Sequence, residues 1–174
     1  MSEQVVDWAA DVHRVLNGAH VRQVAYVPDA GLTRLIAFCE ADTETRDVLL
    51  SNEAEGIGML AGAWLGGERG ALLMQSSGIG NVVAPLSLVR ACRFPLLMIV
   101  TMRGNWGEVN PWQVPMGFAG PEHLAAAGVI VYPVEKAAEV GETVAAAAQL
   151  AFESQVAVAV LISQRVIGSK AFTR

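Results

Sequence analysis

Two neighbouring segments carry the residue types most suited to chemistry. Residues 51–64 place a carboxylate, Glu53, at the start of a helix whose body is glycine-rich and apolar, and residues 71–81 form a strand that runs into a Gly78-x-Gly80-Asn81 turn. A carboxyl group can hold or transfer a proton, and glycine lets a ligand or another backbone approach closely. Together the two segments are more specific to a ligand site than either is alone.

Simpler interpretations exist for each segment. Glu53 and Glu55 could merely complement the positive end of a helix, which stabilises a helix by about a few tenths of a kcal/mol. The Gly78-x-Gly80 turn could be a nucleotide phosphate loop. However, it lacks the third glycine of a dinucleotide fingerprint and the Gly-Lys-Ser/Thr of a P-loop.

The elements that must position these residues alternate along the chain. Short apolar runs typical of buried strands occupy residues 23–27, 47–50, 71–75, 96–101, 129–134 and 156–163. Segments of helical character lie at residues 3–16, 31–39, 53–65, 82–92 and 135–152. This alternation predicts an α/β fold of three layers: a doubly wound parallel sheet of about six strands, buried on both faces, with helices on both sides.

One segment interrupts the alternation. Residues 103–121 contain four glycines and three prolines. Because both residue types favour turns, we expect a long loop without regular structure. Loops of this length in compact domains usually bind something. This loop also carries polar and aromatic side chains at Trp106, Glu108, Asn110, Trp112 and Gln113.

Composition limits the classes of function. The 174 residues fit a single domain, and the net charge of -5 without a basic cluster argues against nucleic acid as a partner. No apolar run is long enough to cross a membrane, and residues 1–8 lack the pattern of a secretory signal, so we expect a cytoplasmic protein. Cys39 and Cys92 have no disulfide or zinc spacing and are expected to be buried and inert. Hydrophobic residues at 53% exceed what one domain needs, which indicates a contact with another subunit.

The two segments also carry a family resemblance. The patterns E-A-x-G-I-G-x-x-A-G-A-W and L-L-x-Q-S-S-G-I-G-N resemble the pyrimidine-binding domain of thiamine diphosphate-dependent enzymes, in particular sulfopyruvate decarboxylase alpha subunits and phosphonopyruvate decarboxylases. Further matches at residues 95–97, 103–104, 108, 113 and 115–117 extend the resemblance over residues 24–163. It implies the thiamine diphosphate-binding fold, with residues 1–174 as one pyrimidine domain.

The resemblance also implies roles for residues. Glu53 would be the catalytic carboxyl that contacts the pyrimidine ring and promotes the tautomer able to deprotonate the thiazolium carbon. Ser77, Gly78, Gly80 and Asn81 would lie near the cofactor. The G-D-G motif that holds Mg²⁺ and the diphosphate in such enzymes does not occur in the sequence. We therefore expect a separate beta subunit to hold the metal, in a hetero-oligomer with no metal ligand from this chain.

The implied reaction converts an anionic 2-oxoacid to an aldehyde and CO₂, with sulfopyruvate as the first candidate and phosphonopyruvate as the second. Arg103, Asn105 and Gln113 are candidates for binding the second anionic group, and Asp29 for proton transfer. The histidine pair of some related decarboxylases is absent, which leaves the final proton donor unassigned. A noncatalytic pyrimidine-domain partner protein and a nucleotide-binding oxidoreductase domain are the alternatives of other classes.

Overall fold

The computed structural model describes residues 6–169, which form a three-layer α/β domain. Its sheet has six parallel strands in the order β2-β1-β3-β4-β6-β5. The strands are β1 (Val21–Tyr26), β2 (Arg46–Leu49), β3 (Arg69–Gln75), β4 (Leu96–Thr101), β5 (Ile130–Val134) and β6 (Ala157–Ile162). The helices are α1 (Trp8–Gly18), α2 (Thr33–Ala41), α3 (Glu53–Leu65), α4 (Ile79–Val82), α5 (Leu86–Cys92), α6 (Val114–Ala126), α7 (Ala137–Ser154) and α8 (Gln164–Ile167). Short 3₁₀ turns lie at Ser76–Gly78 and Pro111–Gln113.

Alternate residues of the central strands face two separate hydrophobic cores. Ala71 and Leu73 of β3 pack with α1, α2 and α7 on one side of the sheet, while Leu72 and Met74 pack with helices α3 to α6 on the other. This division follows from the period of two along a strand. The predicted three-layer parallel fold is confirmed.

The two edge strands differ from the prediction that all six strands are buried on both faces. In β2 the Leu49 side chain is 65% exposed, and in β5 Ile130 is 38% exposed. By contrast, every residue of β4 and β6 is buried. An apolar run identifies a strand but contains no information about its place in the sheet, so this prediction was wrong at the edges.

The prediction of an irregular loop over residues 103–121 was also wrong in its second half, which forms the 3₁₀ turn and most of α6. Pro115 lies in the first turn of α6, where a backbone N–H has no helical partner to lose. Gly104 has a φ of +83°, and a Cβ there would collide with the backbone of Gln113. Gly117 of α6 packs against the segment that contains Gly104, since a Cβ at position 117 would collide with the Arg103 carbonyl. The glycines therefore permit close packing of a helix against the loop.

Three smaller predictions also need correction. The helix expected over residues 82–92 begins only at Leu86, as α5 with Pro85 as its N-cap, while Val82 is the last residue of the separate helix α4. The first helix begins at Trp8, where the Asp7 side chain accepts a hydrogen bond from the Ala10 N–H; residues 3–5 of the expected helix lie outside the described residues. Cys92 is exposed, although Cys39 is buried as expected.

Within the described part of the chain, no helix has the length and apolar character required to cross a membrane.

Because all strands are parallel, their carboxyl ends meet at one edge of the sheet, where parallel α/β folds form their binding sites. The segments that follow β1, β2, β3, β4 and β6 supply residues 28–31, 50–53, 76–81, 102–113 and 163–165 to this edge. The same edge therefore carries every residue that the sequence analysis assigned to a site.

Candidate active site at the carboxyl edge of the sheet

Glu53, Gly78 and Asn81 form a polar group that we name the Glu53 corner. Glu53 is the first residue of α3, whose start is fixed by Asn52: its side chain accepts a hydrogen bond from the Ala54 N–H at 2.9 Å. The Glu53 residue is only 6% exposed. Asn81 Nδ2 donates to Glu53 Oε2 at 2.7 Å. An acidic side chain is thus buried beside a single side-chain donor.

Gly78 makes the burial of Glu53 possible. A Cβ at Gly78 would collide with the Glu53 carboxyl, so any larger residue would push the carboxyl out of its place. No hydrogen bond within residues 6–169 engages Glu53 Oε1. The corner therefore holds one carboxyl oxygen firmly and leaves the other available.

A second polar region, the Arg103 cavity, lies beside the corner and has a volume of about 260 Å³. Its lining combines residues from the ends of β1, β3 and β4 with the segment before α6, and consists of Pro28, Asp29, Ala30, Gln75, Arg103, Glu108, Asn110 and Gln113. Ser76, next to Gln75, links the two regions: its hydroxyl donates to the Arg103 carbonyl at 3.1 Å and accepts from the Arg103 N–H at 3.0 Å.

Asp29 and Arg103 form a buried ion pair in the wall of this cavity. Arg103 donates to Asp29 Oδ1 at 3.3 Å, and the two side chains are 8% and 7% exposed. Asp29 Oδ2 accepts from the Gly31 N–H at 2.8 Å and from the Thr101 hydroxyl at 2.9 Å. Among the described residues Asp29 is the single acceptor of the Arg103 guanidinium, so most of the five guanidinium N–H donors have no partner there.

Glu108 is the second carboxylate of the cavity. Its Oε1 accepts from the backbone N–H groups of Val109 and Asn110 at 3.0 Å each, and its Oε2 accepts from Gln164 Nε2 at 2.9 Å. Partial burial opposes ionisation, but the hydrogen bonds from Asn110, Gln164 and Val109, with the charge of Arg103, outweigh it and lower the pKa of Glu108. Glu108 is therefore a carboxylate at neutral pH.

The structure brings three of the four predicted substrate residues together, since Asp29, Arg103 and Gln113 all line the cavity. Gln113 Oε1 is buried and accepts no hydrogen bond from the described residues. Asn105 does not line the cavity; its side-chain oxygen instead accepts from the Gln164 N–H at 3.1 Å. This contact occupies the side-chain oxygen of Asn105, and its substrate-binding role stays a prediction.

The remaining predicted positions surround the Glu53 corner. Ser77 is half-buried in the 3₁₀ turn, and Gly80 is exposed on α4 with open space around its Cα. Hence no packing contact within residues 6–169 requires glycine at position 80. His123, the one histidine near the loop, is exposed on α6. Within residues 6–169 no three His, Cys, Asp or Glu side chains are grouped so as to hold a metal ion.

Sequence reasoning did not assign a role to Gln75, Glu108, Asn110 or Gln164. The available signal for Glu108 and Asn110 was their position in a loop rich in turn formers. Gln164 follows a strand of the sheet and belongs to no motif, so nothing in its local sequence distinguishes it.

Several decarboxylases and decarboxylase subunits are similar to this chain over more than half of its length. The alpha subunit of sulfopyruvate decarboxylase from Methanothermobacter thermautotrophicus is 34% identical over 158 residues, 90% of this chain and 96% of that protein. The corresponding subunit from Methanococcus maripaludis is 31% identical over 152 residues, 87% and 91% of the two chains. The phosphonopyruvate decarboxylase of Streptomyces viridochromogenes is 44% identical over 101 residues, which are 58% of this chain but 25% of that protein.

No protein-family model matches the sequence. Among solved structures, the 2-oxoglutarate:ferredoxin oxidoreductase from Magnetococcus marinus superimposes with a TM-score of 0.74 over 92% of this chain and 29% of the other, at 16% identity. At this identity the likeness establishes a shared fold and carries no information about the reaction.

Proposed function

The chain belongs to the family of sulfopyruvate decarboxylase alpha subunits, and we propose that it is the pyrimidine-binding subunit of a thiamine diphosphate-dependent 2-oxoacid decarboxylase. Its substrate in this proposal is sulfopyruvate or a related anionic 2-oxoacid. One molecule of 2-oxoacid and one proton give one aldehyde and one CO₂.

The observation that carries the proposal is the burial of the Glu53 carboxyl together with its hydrogen bonding. The carboxyl is buried, Asn81 occupies Oε2, and Oε1 has no partner among the described residues. These features fit a flat nitrogen heterocycle, because Oε1 can hold a proton against a ring nitrogen while Asn81 fixes the orientation of the carboxyl. Gly78 keeps the space beside the carboxyl free of a side chain. Glu53, Gly78 and Asn81 are accordingly the residues that would hold the pyrimidine ring.

When bound, thiamine diphosphate supplies the electron sink that accepts the electron pair of the broken carbon–carbon bond. Glu53 would keep its proton between Oε1 and the ring nitrogen. Its burial would exclude water from that contact, and a hydrogen bond in a water-poor site is stronger than one in solution. The role of Glu53 is thus to fix the protonation of the pyrimidine ring.

The Arg103 cavity is the proposed place for the substrate's second anionic group. Arg103 has N–H donors without a partner among the described residues, and guanidinium groups bind sulfonate, phosphonate and carboxylate oxygens with more than one hydrogen bond. Gln113 also lines the cavity and could orient the acid through its side-chain amide. Asp29 would act mainly by holding Arg103 in place, and proton transfer would be its second role.

A partner chain is part of the proposal. The sequence contains no G-D-G motif for the diphosphate and Mg²⁺, and the family members from Methanococcus maripaludis and Methanothermobacter thermautotrophicus are named as alpha subunits. We infer that a beta subunit supplies the diphosphate-binding domain and the metal ligands, and that the site forms between the two chains of a hetero-oligomer. Each chain alone would then bind the cofactor incompletely.

Phosphonopyruvate is the second candidate substrate. A specific observation favours it: identity with the matched part of the Streptomyces viridochromogenes enzyme is 44%, compared with 34% for the sulfopyruvate decarboxylase subunit of Methanothermobacter thermautotrophicus. The latter match covers far more of both chains. The cavity's arginine suits a sulfonate and a phosphonate equally.

The test is CO₂ release from sulfopyruvate, phosphonopyruvate and pyruvate, with thiamine diphosphate and Mg²⁺ present. The chain would be assayed alone and after co-expression with its genetic neighbour that carries a G-D-G motif. Activity in the pair alone supports the proposal, and the acid with the highest kcat/KM is the substrate. A stable pair that binds thiamine diphosphate but releases CO₂ from none of the three would contradict it and favour the noncatalytic alternative.

A further inference from the structure

We infer that Gln164 is a positioning residue that sets the geometry of the segment 104–110 at the Arg103 cavity. The inference rests on the proposed function for its effect on turnover, but its structural part stands on contacts within this chain. Gln164 begins α8, directly after β6, and is 1% exposed. It lies 56 to 60 residues beyond the three residues of the segment that it contacts.

Gln164 makes three hydrogen bonds to this segment. Its Oε1 accepts from the Gly104 N–H at 2.9 Å, its Nε2 donates to Glu108 Oε2 at 2.9 Å, and its backbone N–H donates to Asn105 Oδ1 at 3.1 Å. The two ends of the side chain have opposite roles, one as acceptor and one as donor. Such a buried polar group is costly to leave without partners, so the three bonds fix the segment as a unit.

The effect reaches the cavity through Glu108. The oxygen of Glu108 that Gln164 does not contact accepts from the N–H groups of Val109 and Asn110, and the side chains of Glu108 and Asn110 line the cavity. Gln164 itself does not line the cavity. It therefore acts on the substrate site through another residue, which defines a positioning role.

A second contact holds the same segment. The Arg165 guanidinium lies 3.4 Å from the centre of the Trp106 ring. Adjacent residues of α8 thus both contact the segment, Gln164 from a buried position and Arg165 from an exposed one. The carboxyl end of β6 is the anchor for both contacts.

The Gln164 amide donates to the Glu108 carboxylate, so exchanging the two side-chain types between positions 108 and 164 tests this contact. In Gln164→Glu, a carboxylate would face the Glu108 carboxylate, and the donor of that bond would be lost. In the double variant Glu108→Gln with Gln164→Glu, the amide of residue 108 could donate to the new carboxylate. Its oxygen would still accept from Val109 and Asn110, and the other oxygen of residue 164 would accept from Gly104. The double variant keeps the net charge and every hydrogen bond of the wild type.

The experiment compares these variants in the assembled two-chain protein by hydrogen exchange of the peptide that spans residues 104–113. We expect exchange in Gln164→Glu to become about tenfold faster and to return towards the wild-type rate in the double variant. Gln164→Met, which removes both side-chain bonds without adding charge, should also exchange faster. Gln149→Glu, the same substitution at an exposed position of α7, is the matched control and should change nothing.

The kinetic part uses the acid that the wild type decarboxylates fastest. We expect KM to rise about tenfold in Gln164→Glu with a smaller change in kcat, and the double variant to recover most of the loss. Exchange of residues 104–113 at the wild-type rate in both Gln164→Glu and Gln164→Met would overturn the inference, whether or not the assembly is active. Faster exchange with unchanged KM and kcat would also overturn it. A wild-type assembly without activity refutes the proposed function instead, while the exchange data still decide whether Gln164 orders the segment.

Discussion

The Glu53 corner and the Arg103 cavity lie side by side at the same edge of the sheet but differ in how many partners the chain itself provides. In the corner, one oxygen of a buried carboxyl is bonded by Asn81 and the other has no described partner. In the cavity, both carboxylates accept three hydrogen bonds each, from side chains and from backbone N–H groups. The two carboxylates of the cavity thus find all their partners within this chain, whereas the carboxyl of the corner does not.

The difference separates two kinds of residue. The second carboxyl oxygen of Glu53 has no hydrogen-bond partner among the described residues, so it is available to contact a ligand. A carboxylate with three donors can be explained by structure alone. We therefore expect changes in the corner to affect catalysis with little effect on stability, and changes in the cavity wall to affect both.

The largest expected effect is the loss of catalysis in Glu53→Gln. The amide oxygen can still accept from Asn81, but the amide cannot supply the acidic proton, and CO₂ release by the two-chain assembly should fall by at least about 100-fold. Glu55→Gln is the matched control, because Glu55 is exposed on the same helical turn and bonds to Ser51. Equal loss in both variants, or none in either, would remove the distinction between the corner and its surroundings.

The next effect is on stability, in the cavity wall. Arg103→Leu leaves Asp29 buried without its ionic partner, and breaking a buried ion pair in this way costs about 3 kcal/mol of unfolding free energy. The double variant Asp29→Asn with Arg103→Leu should recover part of the loss, since no unpaired charge remains. Urea denaturation of the three proteins measures this. A single variant as stable as the wild type would show that the ion pair does not support the cavity.

A smaller effect is expected for Asn81→Ala, which removes the one hydrogen bond described for the Glu53 carboxyl. Glu53 would keep its position in α3 but lose its fixed orientation, and kcat should fall about tenfold, or about 1.4 kcal/mol, which corresponds to the loss of one ordinary hydrogen bond. KM for the 2-oxoacid should change little, because Asn81 does not line the cavity. If KM rose and kcat did not, the two regions would not be functionally separate.

The smallest effect is a difference in the pH dependence of stability. Hydrogen bonds and the nearby guanidinium overcome partial burial and hold the pKa of Glu108 below its usual value of 4.5. A carboxylate of this kind stabilises the fold above the unfolded-state pKa, and the contribution is lost as pH falls through the lower folded-state pKa. Between pH 6 and pH 3, the melting temperature of the wild type should therefore fall more steeply than that of Glu108→Gln. Parallel curves would contradict this account of the cavity.

The parts of the molecule that could be predicted from sequence are those fixed by neighbouring residues. The start of α3 follows from Asn52 and Glu53, two adjacent residues, and its predicted bounds agree with the structure. The six strands were recognisable as apolar runs. The sheet order and the exposed edge positions of β2 and β5 depend on pairing between distant segments, and no local pattern specifies them.

The same reason explains the errors around residues 103–121. Pro115 and Gly117 resemble turn formers until the contacts of Gly117 with Arg103 and Gly104 are known. Gln164 was missed because its partners lie 56 to 60 residues away. The Arg103 cavity is thus a product of long-range hydrogen bonds, while the Glu53 corner depends on a helix start and a glycine turn that short motifs describe.

The central claim is that Glu53 controls the protonation of a pyrimidine ring in a site completed by a second chain. Its most direct test is the exchange rate of the thiazolium C2 proton of thiamine diphosphate bound to the assembled pair, measured by quench and NMR in deuterated buffer. We predict fast exchange in the wild type and in Glu55→Gln, and exchange slower by at least about 100-fold in Glu53→Gln. Equal exchange rates in Glu53→Gln and wild type, with the cofactor bound to both, would contradict the claim.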